Sequence, residues 1–107
     1  MTERLVKAAI KSDIKPGAMT AIEVEGLPIA ICKVGDSFYA IGDICTHDGA
    51  PLDGGEMVGD QIECPRHGAR FDVKSGKAMC LPAVTPVPTY RVEEKGEELW
   101  IAIPDRV

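Results

Sequence analysis

Cys45-Thr46-His47 and Cys64-Pro65-Arg66-His67 are the two short stretches around which this chain is organised. Each supplies one thiol and one imidazole, and sixteen residues separate His47 from Cys64, which gives the pattern C-x-H-x16-C-x2-H. Two thiolates and two imidazoles satisfy a mononuclear zinc ion, and they equally satisfy a [2Fe–2S] cluster with two thiolates on one iron and two imidazoles on the other. The stretches therefore predict a metal centre and leave its type to the rest of the chain.

Mixed pairing of the ligands within each stretch favours the cluster. Classical zinc modules usually pair like ligands at a tight turn, as in C-x2-C and H-x3-5-H. Two loops standing side by side would instead bring Cys45 and Cys64 to one iron, and His47 and His67 to the other. The glycines and the proline nearby let the backbone approach bridging sulfides that need N–H hydrogen bonds. A structural zinc site is the less favoured alternative at this point.

Length and composition predict one small globular domain, residues 1–107. With 107 residues, of which 45% are hydrophobic and 27% charged, the chain is long enough for one core and too short for two ordinary domains. No apolar run approaches the length of a membrane span, and no apolar signal-peptide core follows the first four residues. Its four cysteines are expected to be ligands or buried thiols, so the sequence favours a cytoplasmic protein.

Strand-like patterns dominate both ends of the chain. Period-two alternation and apolar runs predict strands over the ranges 5–10, 20–24, 28–34, 37–41, 90–93 and 99–103. Cys32 lies in one of these runs and is expected to be an ordinary buried thiol, whereas the role of Cys80 is left open. Trp100 and Tyr39 are expected to fill the core rather than to relay electrons. No stretch carries helical periodicity, so the predicted fold class is all-β.

Glycines recur between about residues 43 and 80 and break this part of the sequence into short pieces. The pattern predicts a loop-rich, ligand-bearing insert in a small antiparallel β-sandwich or barrel. Glu56–Val58 and Gln61–Glu63 flank a Gly-Asp pair and predict a tight hairpin between the two ligand stretches. Arg70–Val73 is expected to form a further short strand, and the prolines in the range 81–89 predict an extended connection.

Acidic residues concentrate in the same insert. Between Asp43 and Asp72 there are seven acidic and two basic residues, so this segment accounts for the formal net charge of −5. The distribution disfavours nucleic acid as a partner and favours a basic protein surface, because phosphate would be repelled. The alternative is that the charges only improve solubility. Asp43 itself could cap a local turn or accept an N–H from the ligand loop, and the turn role is favoured.

The ligand stretches and their neighbours resemble the signature of Rieske [2Fe–2S] proteins. The match consists of Cys45-Thr46-His47 and Cys64-Pro65-x-His67-Gly68, with Phe71-Asp72 just beyond, and the resemblance covers nearly the whole chain. It implies that Cys45 and Cys64 bind one iron and that His47 and His67 bind the other, with both imidazoles near the surface. The chain is similar in this respect to the small soluble Rieske-type ferredoxins.

Departures from the Rieske subunits of cytochrome bc complexes predict a low reduction potential. Two cysteines that form a bracing disulfide in those proteins correspond here to Ala50 and Arg66, so that disulfide is absent. Their serine and tyrosine hydroxyl donors correspond to Ala69 and Phe71, which have no hydroxyl. Fewer hydrogen bonds to sulfur oppose the addition of an electron, which places the expected potential at the low end of the Rieske range.

Pro82 resembles the proline that covers the cluster from a third loop in this family.

No nucleotide motif and no catalytic constellation occurs in the sequence, which predicts an electron carrier rather than an enzyme. The resemblance implies the ferredoxin of a multicomponent ring-hydroxylating dioxygenase system, with a flavin-dependent reductase as donor and a terminal oxygenase as acceptor. The docking face would comprise Cys45–Pro51, Arg66–Gly68 and the loop at Pro82. Two alternatives are the small Rieske subunit of an assimilatory nitrite reductase complex and a structural zinc-binding module.

Overall fold

The computed structural model describes residues 3–44, 51–52, 55–65, 68–80 and 86–104, and within them one 3-10 turn, Lys11–Asp13, accompanies eleven β-strands. The strands are β1 (Glu3–Ile10), β2 (Met19–Val24), β3 (Leu27–Val34), β4 (Ser37–Gly42), β5 (Glu56–Val58), β6 (Gln61–Glu63), β7 (Arg70–Asp72), β8 (Ala78–Cys80), β9 (Thr89–Tyr90), β10 (Val92–Lys95) and β11 (Glu98–Pro104). The predicted all-β class is confirmed. In this described part of the chain, no helix is long and apolar enough to cross a membrane.

The strands form three antiparallel sheets. Sheet A has the order β1-β11-β10, sheet B the order β2-β3-β4-β9, and sheet C the order β5-β6-β7-β8. Short turns place consecutive strands side by side, as where Glu25-Gly26 joins β2 to β3. This turn has two residues, because Leu27 already pairs with Val24. The β1–β11 pairing is different in kind, since it joins residues from opposite ends of the chain.

Sheet B is covered on both faces, and β3 shows this directly. Ile29 and Ile31 belong to one apolar core, which includes Leu99 and Ile101 of sheet A. Ala30 and Cys32 point to the other face and belong to a second core, which includes Ile62 and Phe71 of sheet C. Successive side chains of a strand point to opposite faces, so a strand buried on both faces is continuously apolar. This explains the unbroken run in β3 and confirms Cys32 as a buried residue.

The predicted insert is more regular than expected, because it contains sheet C. The predicted hairpin is confirmed, with Glu56 opposite Glu63 and Val58 opposite Gln61. The short strand after the second ligand stretch is also confirmed as β7, whereas β8 was not predicted. β8 has three residues, too few to show a period, and it is identified by its pairing with β7.

The aromatic residues divide between core and surface. Tyr39 packs against the core of sheets B and C, as predicted. The prediction that Trp100 fills the core is wrong, because the neighbouring Leu99 and Ile101 occupy the inner face of β11. Trp100 is half-buried on the outer face, where its Nε1–H donates to Glu98 at 3.1 Å and the Lys95 Nζ lies 4.7 Å from its ring centroid.

Candidate metal centre

Cys64 is the one predicted ligand that lies within the described residues. Cys45, His47 and His67 lie outside them, and so do Ala50, Arg66 and Pro82, to which the resemblance also gives a meaning. Within the ranges 3–44, 51–52, 55–65, 68–80 and 86–104, no three His, Cys, Asp or Glu side chains group as potential metal ligands. The ligand set as a whole therefore stays a prediction, whereas the backbone that leads into both ligand stretches can be described.

The second ligand stretch begins where β6 ends. The Cys64 side chain is only 1% exposed, and its thiol is not in a disulfide. Its backbone N–H donates to the carbonyl oxygen of Ala69 at 2.7 Å, and the N–H of Gly68 donates to the Cys64 carbonyl at 3.1 Å. Two backbone hydrogen bonds thus close the segment from Cys64 to Ala69 at its base. The thiol of Cys64 is therefore held at this closed base and is not used in a disulfide, which leaves it available as a metal ligand.

The first ligand stretch lies between Asp43 and Leu52, and a hydrogen bond connects these two residues. Oδ1 of Asp43 accepts the backbone N–H of Leu52 at 2.8 Å, and the bond is buried. Asp43 is 5% exposed, and it is the one buried charged residue in the described part of the chain. Of the two roles considered for Asp43, the structure shows acceptance of an N–H from the far end of the ligand segment. A carboxylate buried here has a hydrogen-bond donor that offsets part of its desolvation.

The bases of the two ligand stretches meet at Gly55. A Cβ added to Gly55 would lie 2.0 Å from the carbonyl oxygen of Glu63 and 3.1 Å from that of Leu52. Only glycine permits so close an approach of the turn at Leu52 and Gly55 to the backbone of Glu63. The chain leaving the first ligand segment therefore touches the backbone immediately before Cys64. Sequence reasoning missed this contact, although the Gly54-Gly55 pair after Leu52 was a signal that backbone segments approach each other there.

Buried apolar residues surround the base of the candidate centre. Leu52, Ala69 and Phe71 are each 0% exposed, and they share the core of sheets B and C with Cys64. The side chains at positions 69 and 71 contain no hydrogen-bond donor, so neither can donate to a sulfur atom. Cys32 belongs to the same core, where burial and then the charge of Asp43 raise the pKa of its thiol to about 12. Cys32 is therefore a protonated core residue, while the side chain of Cys80 lies outside the description.

Ion pairs neutralise part of the acidic insert. Arg70 Nε lies 2.8 Å from Glu63 Oε2 across the β6–β7 pair, and Lys74 Nζ lies 3.7 Å from Asp60 Oδ2. Both pairs are partly exposed and contribute little to stability, on the order of 0 to 1 kcal/mol. Their main effect is electrostatic. They reduce the excess negative charge of the insert around these strands.

The donor set and the backbone fit a [2Fe–2S] cluster. Two thiols and two imidazoles are the set that such a cluster takes when histidines replace cysteines on one iron. In the structure, the backbone that follows the first segment touches, at Gly55, the backbone that precedes the second. The second segment begins with the buried thiol of Cys64. Two ligand pairs carried on adjoining segments suit a cluster held between two loops.

Comparison with known proteins gives the same result by an independent route. The family model for the Rieske [2Fe-2S] domain matches residues 4–91 of this chain. The ferredoxin component of the naphthalene 1,2-dioxygenase system of Pseudomonas aeruginosa is 37% identical over 101 residues, covering 94% of this chain and 97% of the relative.

Solved structures extend the comparison to the fold. One of them, a complex of reduced oxygenase and oxidised ferredoxin in carbazole 1,9a-dioxygenase, contains a chain with a TM-score of 0.89 and 38% identity, covering 96% of both chains. A putative NADH-dependent nitrite reductase small subunit from Mycobacterium tuberculosis has a TM-score of 0.85, covering 99% of this chain and all of its own. Its identity is 20%, so that likeness concerns the fold alone.

Proposed function

Because this chain belongs to the Rieske [2Fe–2S] domain family, we propose that it carries electrons singly from a flavin-dependent reductase to a terminal oxygenase. It is a Rieske-type ferredoxin, an electron carrier rather than a catalyst, and its cofactor is the Rieske cluster rather than zinc. The observation that carries the proposal is the 37% identity, over 94% of the chain, to a dioxygenase ferredoxin component.

The proposed ligands are Cys45 and Cys64 for one iron and His47 and His67 for the other. Cys64 supports this assignment as a buried, unpaired thiol at the base of the second ligand segment. The cluster, when bound, supplies a reversible one-electron change. The protein's contribution is to hold the two ligand segments at adjoining bases and to pack apolar side chains in the core that contains Cys64.

The proposed docking face is the end of the molecule that carries the ligand segments. Ile44, which is 41% exposed, directly precedes Cys45. Met79, which is 45% exposed, adjoins Cys80, and Cys80 lies opposite Arg70 at the end of sheet C nearest the second ligand segment. We propose that these two side chains contribute to an apolar patch, which is the kind of surface at which partner proteins dock.

The proposal also includes the cytoplasm as the place of action. Cys32 and Cys64 are unpaired thiols, and free thiols are typical of a reducing compartment. A reductase that delivers electrons to a soluble carrier would meet it in the same compartment.

The test is electron transfer between purified components. The as-isolated chain is analysed for iron and acid-labile sulfide, reduced anaerobically, and mixed in a stopped-flow instrument with the purified terminal oxygenase of a ring-hydroxylating dioxygenase system. We expect reoxidation of the reduced carrier, with recovery of its visible absorbance, at a rate that rises with oxygenase concentration and falls with ionic strength, because the acidic insert would steer encounter with a basic surface.

Two outcomes would contradict the proposal. A colourless chain that contains zinc and no labile sulfide would refute electron transfer altogether. A chain that purifies only as a permanent stoichiometric complex with a nitrite reductase large subunit would assign it to that enzyme instead, because a shuttle must dissociate from each partner.

A further inference from the structure

We infer that Asp43 is a positioning residue for the first ligand segment, residues 44–51, and that it acts through its hydrogen bond to Leu52. The inference rests on the proposed function, because it gives Asp43 a role toward the ligands Cys45 and His47. It starts from an exception in the core: Asp43 is the one charged residue that is buried in the described part of the chain. A carboxylate is kept out of water only where it has a specific partner.

The hydrogen bond joins the two ends of the ligand segment. Asp43 precedes it, Leu52 follows it, and Asp43 Oδ1 accepts the Leu52 N–H at 2.8 Å in a buried setting. Leu52 is itself 0% exposed, and its side chain packs in the same core as Cys64. The bond therefore connects the far end of the first ligand segment to the core that holds the base of the second.

The position of the carboxylate is set by β-strand backbone. The N–H of Asp43 donates to the Pro28 carbonyl at 3.0 Å, which extends the β3–β4 pairing by one residue beyond Gly42. The N–H of Gly42 donates to the Pro88 carbonyl at 2.8 Å on the other side. Asp43 is thus held between two neighbouring segments. A side chain fixed in this way can restrain the chain that bonds to it.

A backbone ladder could not make the same connection. Antiparallel pairing fixes residues that face each other on neighbouring strands, and it ends where the ligand segment must leave the sheet. A side-chain acceptor spans that gap and still satisfies a buried N–H that would otherwise lack a partner. The carbonyl of Leu52 continues the restraint, because it accepts the N–H of Gly55, where the bases of both ligand segments meet.

The test compares Asp43→Asn, Asp43→Ala and a matched control, Asp72→Ala, all as cluster-loaded protein. Asparagine retains a side-chain oxygen that can accept the Leu52 N–H, and alanine retains none. The control removes a carboxylate with the same chemistry, since Asp72 Oδ1 accepts the N–H of Lys74 at 2.7 Å. Asp72 lies opposite Gln61, at the end of sheet C away from the ligand segments. The readouts are the rate of iron loss to a chelator, the EPR spectrum of the reduced protein and the melting temperature.

We expect Asp43→Ala to lose iron about tenfold faster than wild type and to show altered EPR g-values, as for loss of a residue that orients metal ligands. Asp43→Asn should stay close to wild type in both, and Asp72→Ala should change only the melting temperature. The inference is overturned if Asp43→Ala matches wild type, or if Asp72→Ala loses iron equally fast. Should Asp43→Ala not fold, Asp43→Asn decides: near-wild-type EPR and iron loss support positioning, and a tenfold faster loss refutes it. Wild type without iron and sulfide would instead refute the proposed function.

Discussion

The buried thiol of Cys32 makes the free energy of unfolding depend on pH. Its pKa is raised from 9.0 to about 12, first by burial and then by the charge of Asp43. Between these values the unfolded chain releases the proton and the folded protein retains it, so the contribution is complete below pH 9 and is lost as pH rises toward about 12. We expect the free energy of unfolding to fall by up to about 1.4 kcal/mol per pH unit in this window.

The measurement is denaturant unfolding at several pH values under reducing conditions, for wild type and Cys32→Ala. Other groups that titrate in the same range cancel in the difference between the two proteins. A difference in stability that stays constant from pH 9 to 12 would show that the thiol titrates normally.

Ala69 and Phe71 lead to a prediction about the reduction potential. Both are fully buried beside the candidate centre, and neither side chain can donate a hydrogen bond to sulfur. We therefore expect a midpoint near the low end of the Rieske range, about −150 mV. Introducing a donor with Ala69→Ser or Phe71→Tyr should raise the midpoint by roughly 60 mV, since a hydrogen bond to a charged acceptor contributes about 1.5 kcal/mol.

Redox titration of the purified variants checks this prediction. Val73→Thr is the control, because Val73 is 1% exposed in the same core and the change adds a hydroxyl away from the two donor positions. A wild-type midpoint well above zero, or an equal rise in all three variants, would contradict the role given to the missing hydroxyls.

At the scale of elements, the turn after β7 forms a backbone hydrogen bond with the segment that leads into β9. Gly76 accepts the N–H of Val87 at 2.8 Å, and a Cβ added to Gly76 would lie 2.2 Å from the Val87 carbonyl oxygen. Gly76 also has a φ of +77°, which favours glycine. We expect Gly76→Ala to destabilise the protein by at least about 2 kcal/mol, because it adds a backbone clash to the strain of a positive φ.

Gly96→Ala separates the two causes. Gly96 has a φ of +60°, but a Cβ there would meet nothing within 4 Å, so this variant has the backbone strain alone, about 1 kcal/mol. Denaturant unfolding of both variants gives the comparison. Equal losses of stability would mean that the approach of Val87 to Gly76 does not matter.

At the scale of the whole molecule, sheet C has one end near the ligand segments and one end away from them. Met79 lies at the near end, and Val58 lies beside the Gly59-Asp60 turn at the far end, with similar exposures of 45% and 40%. We expect Met79→Ser to lower the second-order rate of electron transfer to the oxygenase about fivefold, because it removes about 1 kcal/mol of apolar contact. Val58→Ser should leave the rate unchanged.

Stopped-flow mixing of each reduced variant with the oxygenase measures these rates, and EPR confirms that the centre is unaltered. Equal effects of the two substitutions would mean that the partner does not dock at the end of the molecule that carries the ligand segments.

Much of the local structure could be predicted because its causes are local. Alternation in the range 20–24 and the Gly-Asp turn between Glu56–Val58 and Gln61–Glu63 are properties of neighbouring residues, and they predicted β2 and the hairpin of sheet C. The short strand β8 and the outward orientation of Trp100 were not predictable in this way. Both depend on which surface another part of the chain covers.

By itself, the sequence determined the metal chemistry and the fold class. The types and spacing of four residues, Cys45, His47, Cys64 and His67, predict the metal centre, and strand periodicity needs only adjacent residues. Only the tertiary structure decided that β1 pairs with β11, that β3 separates two cores, and that Asp43 accepts the N–H of Leu52. The physical reason is that these are contacts between residues distant in the chain, and a long-range contact is selected by the burial and hydrogen bonding of the whole assembly.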